Sequence, residues 1–119
     1  MTIKKTNPDF LNGVPELLVL QLLDRRPMHG YDLVQAIRAE SGSRLDFGEG
    51  CIYPVLHRLE EQKFLASKRE LFGGRQRIVY RVTKTGQRRL AEALTTWKDV
   101  VAAVGSVLEG NEHGKPALA

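Results

Sequence analysis

LASKRELFGGRQRIVYRV, residues 65–82, is where the chain changes its period. The runs Leu65 to Leu71 and Ile78 to Val82, the second rich in β-branched residues, flank FGGRQR. Two short strand-like runs around a Gly pair predict a β-hairpin with a basic tip. What lies upstream reads as helices, because apolar residues there recur every three or four positions. Pro15 suits a first helical turn, and from Leu17 to Leu23 only Gln21 is polar, so this helix must be covered on nearly every side. HGYDLVQAIRAESG, from His29, puts Leu33, Val34 and Ile37 on one face of a second helix that Gly42 stops. A third helix starts near Gly50 or Cys51, with Pro54 tolerated in its first turn. Its core face is Ile52, Leu56 and Leu59; Pro54, His57, Arg58 and Glu61 point away, with Tyr53 on the flank. Thr83 caps a last helix running from Lys84 to about Leu108.

Helix, helix, helix, hairpin, helix is the order of a winged helix-turn-helix, mainly α within the α+β class, with a C-terminal extension. The expected organisation is an N-terminal arm over 1–14, a winged-helix DNA-binding domain over 15–82, a dimerisation helix over 83–109 and a disordered tail over 110–119. With 119 residues there is room for one core and an appended element.

Charge points to a polyanionic partner. Eighteen Lys and Arg against fourteen Asp and Glu give a net +4, and the excess is local. From Arg44 to Arg89 eleven basic residues face five acidic ones, which leaves the rest of the chain at −2. Cys51 is the only cysteine and the three His lack ligand spacing, so neither a disulfide nor a metal or other cofactor is expected. No apolar run approaches the roughly 20 residues of a membrane span, so the expectation is a soluble, cytoplasmic protein. No Ser/His/Asp set or Gly-rich phosphate loop is present, which argues against an enzyme.

The last helix carries the most regular signal. Leu90, Leu94, Trp97, Val101, Val104 and Leu108 are spaced 4, 3, 4, 3, 4, the a/d pattern of a coiled-coil seam. Such a helix is roughly 37 Å long, against about 30 Å for a small domain, so part of the seam overhangs its own fold. A second copy of the chain is the simplest cover; packing of the helix back onto the first helix alone is the alternative.

Taken together, HGYDL, GCIYPVLHRLEEQKFL and GGRQRIVYRVTKTG, followed by Leu and Trp in the last helix, resemble the PadR-like transcriptional regulators in their short form, over roughly residues 15 to 108. The resemblance implies a dimeric bacterial repressor whose third helix enters the major groove while the wing reaches the minor groove. Two positions depart from the family pattern: Cys51 stands where a hydroxyl residue is common, and Lys63 where glycine is.

A recognition helix meets DNA through the face turned away from its core, which makes Tyr53, Pro54, His57 and Arg58 the candidates. Arg75 and Arg77 flank Gln76 at the wing tip and suit a narrow minor groove, while Lys68, Arg69 and Arg81 steady the backbone. Each of these is otherwise a solvated surface charge. Cys51 near a helix start is either a small packed residue or a thiol made acidic by the helix dipole. Trp97 is first a large seam contact. Some members of the resembling family stack flat drug-like molecules on an aromatic residue at this place, which makes Trp97 and Val101 effector-site candidates. The expected partners are a palindromic operator in double-stranded DNA, a second copy of the chain and a small-molecule effector, with no membrane. A winged-helix module that docks an acidic protein is the competing function.

Overall fold

The computed structural model describes residues 13–110. The proposed arm falls almost wholly, and the tail beyond Gly110, outside the described residues. The order is α1 (Val14–Arg25), β1 (Met28–His29), α2 (Gly30–Glu40), α3 (Glu49–Glu61), β2 (Leu65–Phe72), β3 (Arg75–Val82) and α4 (Lys84–Glu109). This is a winged helix with a long C-terminal helix, as the order of periods predicts. Val14, assigned to the arm, already belongs to α1, and Pro15 sits in the first turn.

α1 is the central element. Val19 and Leu20 are wholly buried, Leu17, Leu22 and Leu23 nearly so, and the helix packs on α2, α3, α4 and β3. Leu33 and Ile37 of α2 and Ile52, Leu56 and Leu59 of α3 close the same core. Removing each such side chain from water is worth about 1.5–3 kcal/mol.

The hairpin pairs Leu65 with Val82 through to Phe72 with Arg75, and Gly73 and Gly74 form its two-residue turn at φ +55° and +81°. Positive φ at both turn positions matches the right-handed twist of the strands, which is why a Gly pair sits there. β1, too short to show a period in the sequence, adds a third antiparallel strand: Met28 pairs with Tyr80 and His29 with Val79.

The exit of α3 and the entry of α4 meet at the base of the hairpin. Lys63 N–H donates to the Glu60 carbonyl and Phe64 N–H to that of Leu59, which closes α3 in a Schellman motif with Lys63 at φ +71°. A glycine at this position would take that conformation without strain; here lysine adopts it. The Thr83 and Thr85 hydroxyls donate to the Lys63 carbonyl at 2.8 and 2.9 Å, and Thr83 Oγ1 accepts the Gly86 N–H at 3.0 Å, the expected N-cap.

α4 has 26 residues, about 39 Å, and the molecule is 64 Å in its longest dimension. Its first turns are anchored on α1: Leu90 is buried and Leu94 half-buried. Beyond them Trp97, Val101 and Val104 are 43–49% exposed and Leu108 is 79% exposed, joined by Val100 and Val107, so the apolar stripe is wider than the 4-3 spacing alone marks. Among the described residues no helix is long and apolar enough to cross a membrane.

Candidate nucleic-acid interface

The start of α2, the outer face of α3 and the wing enclose an open cleft of about 550 Å³ lined by His29, Gly30, Tyr31, Tyr53, His57, Arg75, Arg77, Ile78 and Tyr80. Two segments that the sequence reading treated separately, HGYDL and GCIYPVLHRL, are joined here by a steric fit. Tyr53 lies against Gly30 so closely that a Cβ on that residue would stand 2.5 Å from Tyr53 Cε1, so any larger residue would displace the ring. Burial and the neighbouring Glu49 push the Tyr53 phenol above its ordinary pKa, so it stays a hydroxyl donor at neutral pH. His57 follows one turn later, its ring centroid 6.4 Å from that of Tyr53.

Antiparallel cross-strand partners share a face, so the register sorts the wing cations. Lys68, Arg75, Arg77 and Arg81 lie on one face with Val79, whereas Arg69 shares the other with Ile78 and Tyr80. Lys68 pairs with Glu70 at 3.4 Å on its own strand. Arg77 Nη1 donates to His29 Nε2 at 2.7 Å, and its guanidinium carbon stands 5.9 Å from the Phe72 ring centre. The tip is also apolar: Leu71 is 70% exposed, and Phe72 and Ile78 about half.

Tyr53, His57, Arg75 and Arg77 therefore share one cleft, and Pro54 is exposed on the same helix. Arg58 is not brought to it. Its Nη2 reaches Glu16 Oε1 of α1 at 3.3 Å, while Arg89 of α4 takes Glu16 Oε2 at 2.8 Å. That carboxylate is distant in sequence, so no helical-wheel argument places Arg58 against it. Conversely, His29 and Tyr31 belong to the cleft although no spacing in the sequence marks them as contacts; the period of HGYDLVQ is simply that of a helix. Cys51 is a half-buried free thiol whose pKa burial raises, a rise that nearby Arg58 only partly offsets. Of the two readings of Cys51, this favours the small packed residue over the acidic thiol.

Trp97 borders a second groove of about 400 Å³ between the start of α1 and α4, with Val14, Leu17, Ala93 and Val100 as apolar walls and Glu16, Arg89 and Glu92 at its rim. Val101, paired with Trp97 as an effector candidate, does not line it; Val100 does.

The sequence profile of the Transcriptional regulator PadR-like family matches residues 19–92, from the middle of α1 into α4. The chain belongs to this PadR-like family. Transcriptional regulator YqjI of Escherichia coli (strain K12) is 32% identical over 114 residues, which cover 92% of this chain and 54% of YqjI, so the chain spans about half of that relative. Transcriptional regulator Rv3488 of Mycobacterium tuberculosis is 31% identical over 105 residues, covering 88% of this chain and 92% of Rv3488. Among solved structures, a PadR family transcriptional regulator from Eggerthella lenta superimposes with a TM-score of 0.75 at 36% identity, over 87% of this chain and 88% of that one. Bacillus subtilis PadR, solved in complex with operator DNA, superimposes with a TM-score of 0.63 at 26% identity, over 68% of this chain and 46% of that one. The family match thus runs from within α1 through β1, α2, α3, β2 and β3 into the first turns of α4.

Proposed function

We propose that this chain is a homodimeric transcriptional repressor that binds a palindromic operator in double-stranded DNA in the cytoplasm and has no catalytic activity of its own. The observation that carries this reading is the convergence of Tyr53, His57, Arg75 and Arg77 on one open cleft between α2, α3 and the wing. A solvated scatter of charges has no reason to gather two arginines and two aromatic donors around one concavity. The complex of Bacillus subtilis PadR with operator DNA supports it from a relative. In this reading Pro54 and His57 face the major groove and the Tyr53 hydroxyl meets a phosphate. Arg75 and Arg77 enter the minor groove, and Lys68 and Arg81 hold backbone from the outer face of the wing. Arg69, on the opposite face, and Arg58, half-open beside Glu16, are outlying phosphate contacts.

The apolar stripe of α4 supplies the second half of the proposal. Leu94, Trp97, Val101, Val104 and Leu108, continuing the seam from Leu90, pair with the same residues of a second copy, and water is then excluded from both stripes. The groove beside Trp97 takes a flat cationic aromatic effector, attracted by the acidic rim and stacked on the indole.

Duplexes selected from a random pool by the purified protein test the whole reading. We expect a dyad-symmetric site with half-sites roughly 34–36 Å apart. Affinity should fall linearly with salt on a log–log scale, with a slope of about −5 if about six phosphates are neutralised. A monomer at micromolar concentration that ignores every duplex at low ionic strength overturns it, and capture of an acidic protein in that circumstance favours the interaction module. For the effector, quenching of Trp97 fluorescence by planar cations is expected, and silence across a diverse panel removes that part alone.

A further inference from the structure

We infer that His29 is a positioning residue for the wing arginine Arg77, and that it releases this arginine toward the duplex when its ring takes up a proton. The inference deepens the DNA-binding reading and rests on it.

One nitrogen makes two contacts that exclude each other. His29 Nε2 lies 2.7 Å from Arg77 Nη1 and 3.1 Å from Asp32 Oδ2. A guanidinium has only donors, so the Arg77 bond needs a lone pair on Nε2 and the ring hydrogen on Nδ1. A carboxylate has only lone pairs, so an Asp32 bond needs a hydrogen on that same Nε2. The neutral ring satisfies the first contact; the imidazolium satisfies the second and loses the first. The ring has little freedom to avoid the choice: its side chain is 14% exposed, it stacks on Tyr31 at 6.4 Å, and its backbone is fixed in β1 opposite Val79.

The surroundings set the direction. Asp32 and Tyr31 face the ring from α2, Arg77, Arg75 and Tyr80 from β3, and Tyr53 and His57 from α3 across the cleft. In the neutral state Arg77 is tied down beside β1, one bond short of its full set for a phosphate or a base edge. Protonation places a positive charge 2.7 Å from a guanidinium, which drives Arg77 off, while Asp32 holds the imidazolium. DNA then meets one freed arginine and one added cation in the cleft, and both effects favour the polyanion. Histidine is the side chain that makes this change between pH 5 and 8. The sign follows: the extra affinity belongs to the protonated ring and is lost as pH rises.

The test is the affinity of the full chain for its selected duplex between pH 8 and 5.5 at constant ionic strength, by fluorescence anisotropy. Wild type should bind roughly fivefold to tenfold tighter at the acid end, the effect of one favourably placed charge. His29→Gln keeps a carbonyl that accepts from Arg77 but carries no exchangeable charge, so the ratio of its affinities at pH 5.5 and pH 8 should fall most of the way to one, whatever its absolute affinity. His57 lines the same cleft; His57→Gln should weaken binding throughout and leave the His29-dependent part of the slope in place. A His29→Gln profile as steep as that of wild type overturns the inference. A second readout needs no DNA: the Arg77 guanidinium NMR signals should move across the same pH range in wild type and stay still in His29→Gln. If no duplex binds at any pH the repressor reading fails, and the NMR titration still decides whether His29 governs Arg77. Arg77 signals that do not move, or that move equally in both proteins, overturn it.

Discussion

α3 and the far half of α4 carry apolar stripes of the same kind and end in opposite surroundings. Ile52, Leu56 and Leu59 are 0% exposed against α1, α2 and β2, whereas Trp97, Val101 and Val104 are 43%, 49% and 49% exposed. Periodicity states that a face is to be covered and is silent on what covers it. α3 has 13 residues, about 20 Å, and fits within the domain; α4 at 26 residues outruns it.

The sharpest way to break this contrast is to damage each stripe in turn. Leu56→Ala should cost about 2–5 kcal/mol in urea unfolding at matched protein concentrations, since the cavity forms in the centre of the core. A loss below about 1 kcal/mol would remove α3's inner face from the core. Val104→Asp should leave the circular dichroism spectrum intact and weaken self-association on the order of a hundredfold by sedimentation, because it sets a charge inside the proposed interface. An unchanged dimer would show that the stripe is covered by something else. Gly86→Ala tests the joint between the two helices: a methyl there collides with the Phe64 carbonyl oxygen and Val82 Cγ2, so a loss of about 1–3 kcal/mol is expected. The smallest effect belongs to Lys63→Gly. Relief of the left-handed strain, about 1–2 kcal/mol, slightly exceeds the entropy that glycine adds to the unfolded chain, so a gain of up to about 1 kcal/mol is expected. Destabilisation would mean that the Lys63 side chain holds something its backbone does not reveal.

Elements written in local pattern were legible. Leu33, Val34 and Ile37 on α2, Ile52, Leu56 and Leu59 on α3, the Gly73–Gly74 turn and the Thr83 cap all follow from spacing within a dozen residues. What escaped has partners far along the chain. β1 is two residues long, too short to show a period, and exists only because β3 passes alongside it some 50 residues later. Arg58 turns to Glu16, 42 positions away, and His29 meets Arg77 across 48, so the membership of the cleft is a product of tertiary packing. Val100 and Val107 fall outside a strict 4-3 count although the surface that is left open includes them.

The knot at Lys63, Thr83, Thr85 and Gly86, with Leu90 and Arg89 seated on α1, fixes the direction in which α4 leaves the root of the wing. On a rod of about 39 Å, a tilt of only 5° at that root carries the far tip through roughly 3 Å. A firm root therefore governs where the distal end points.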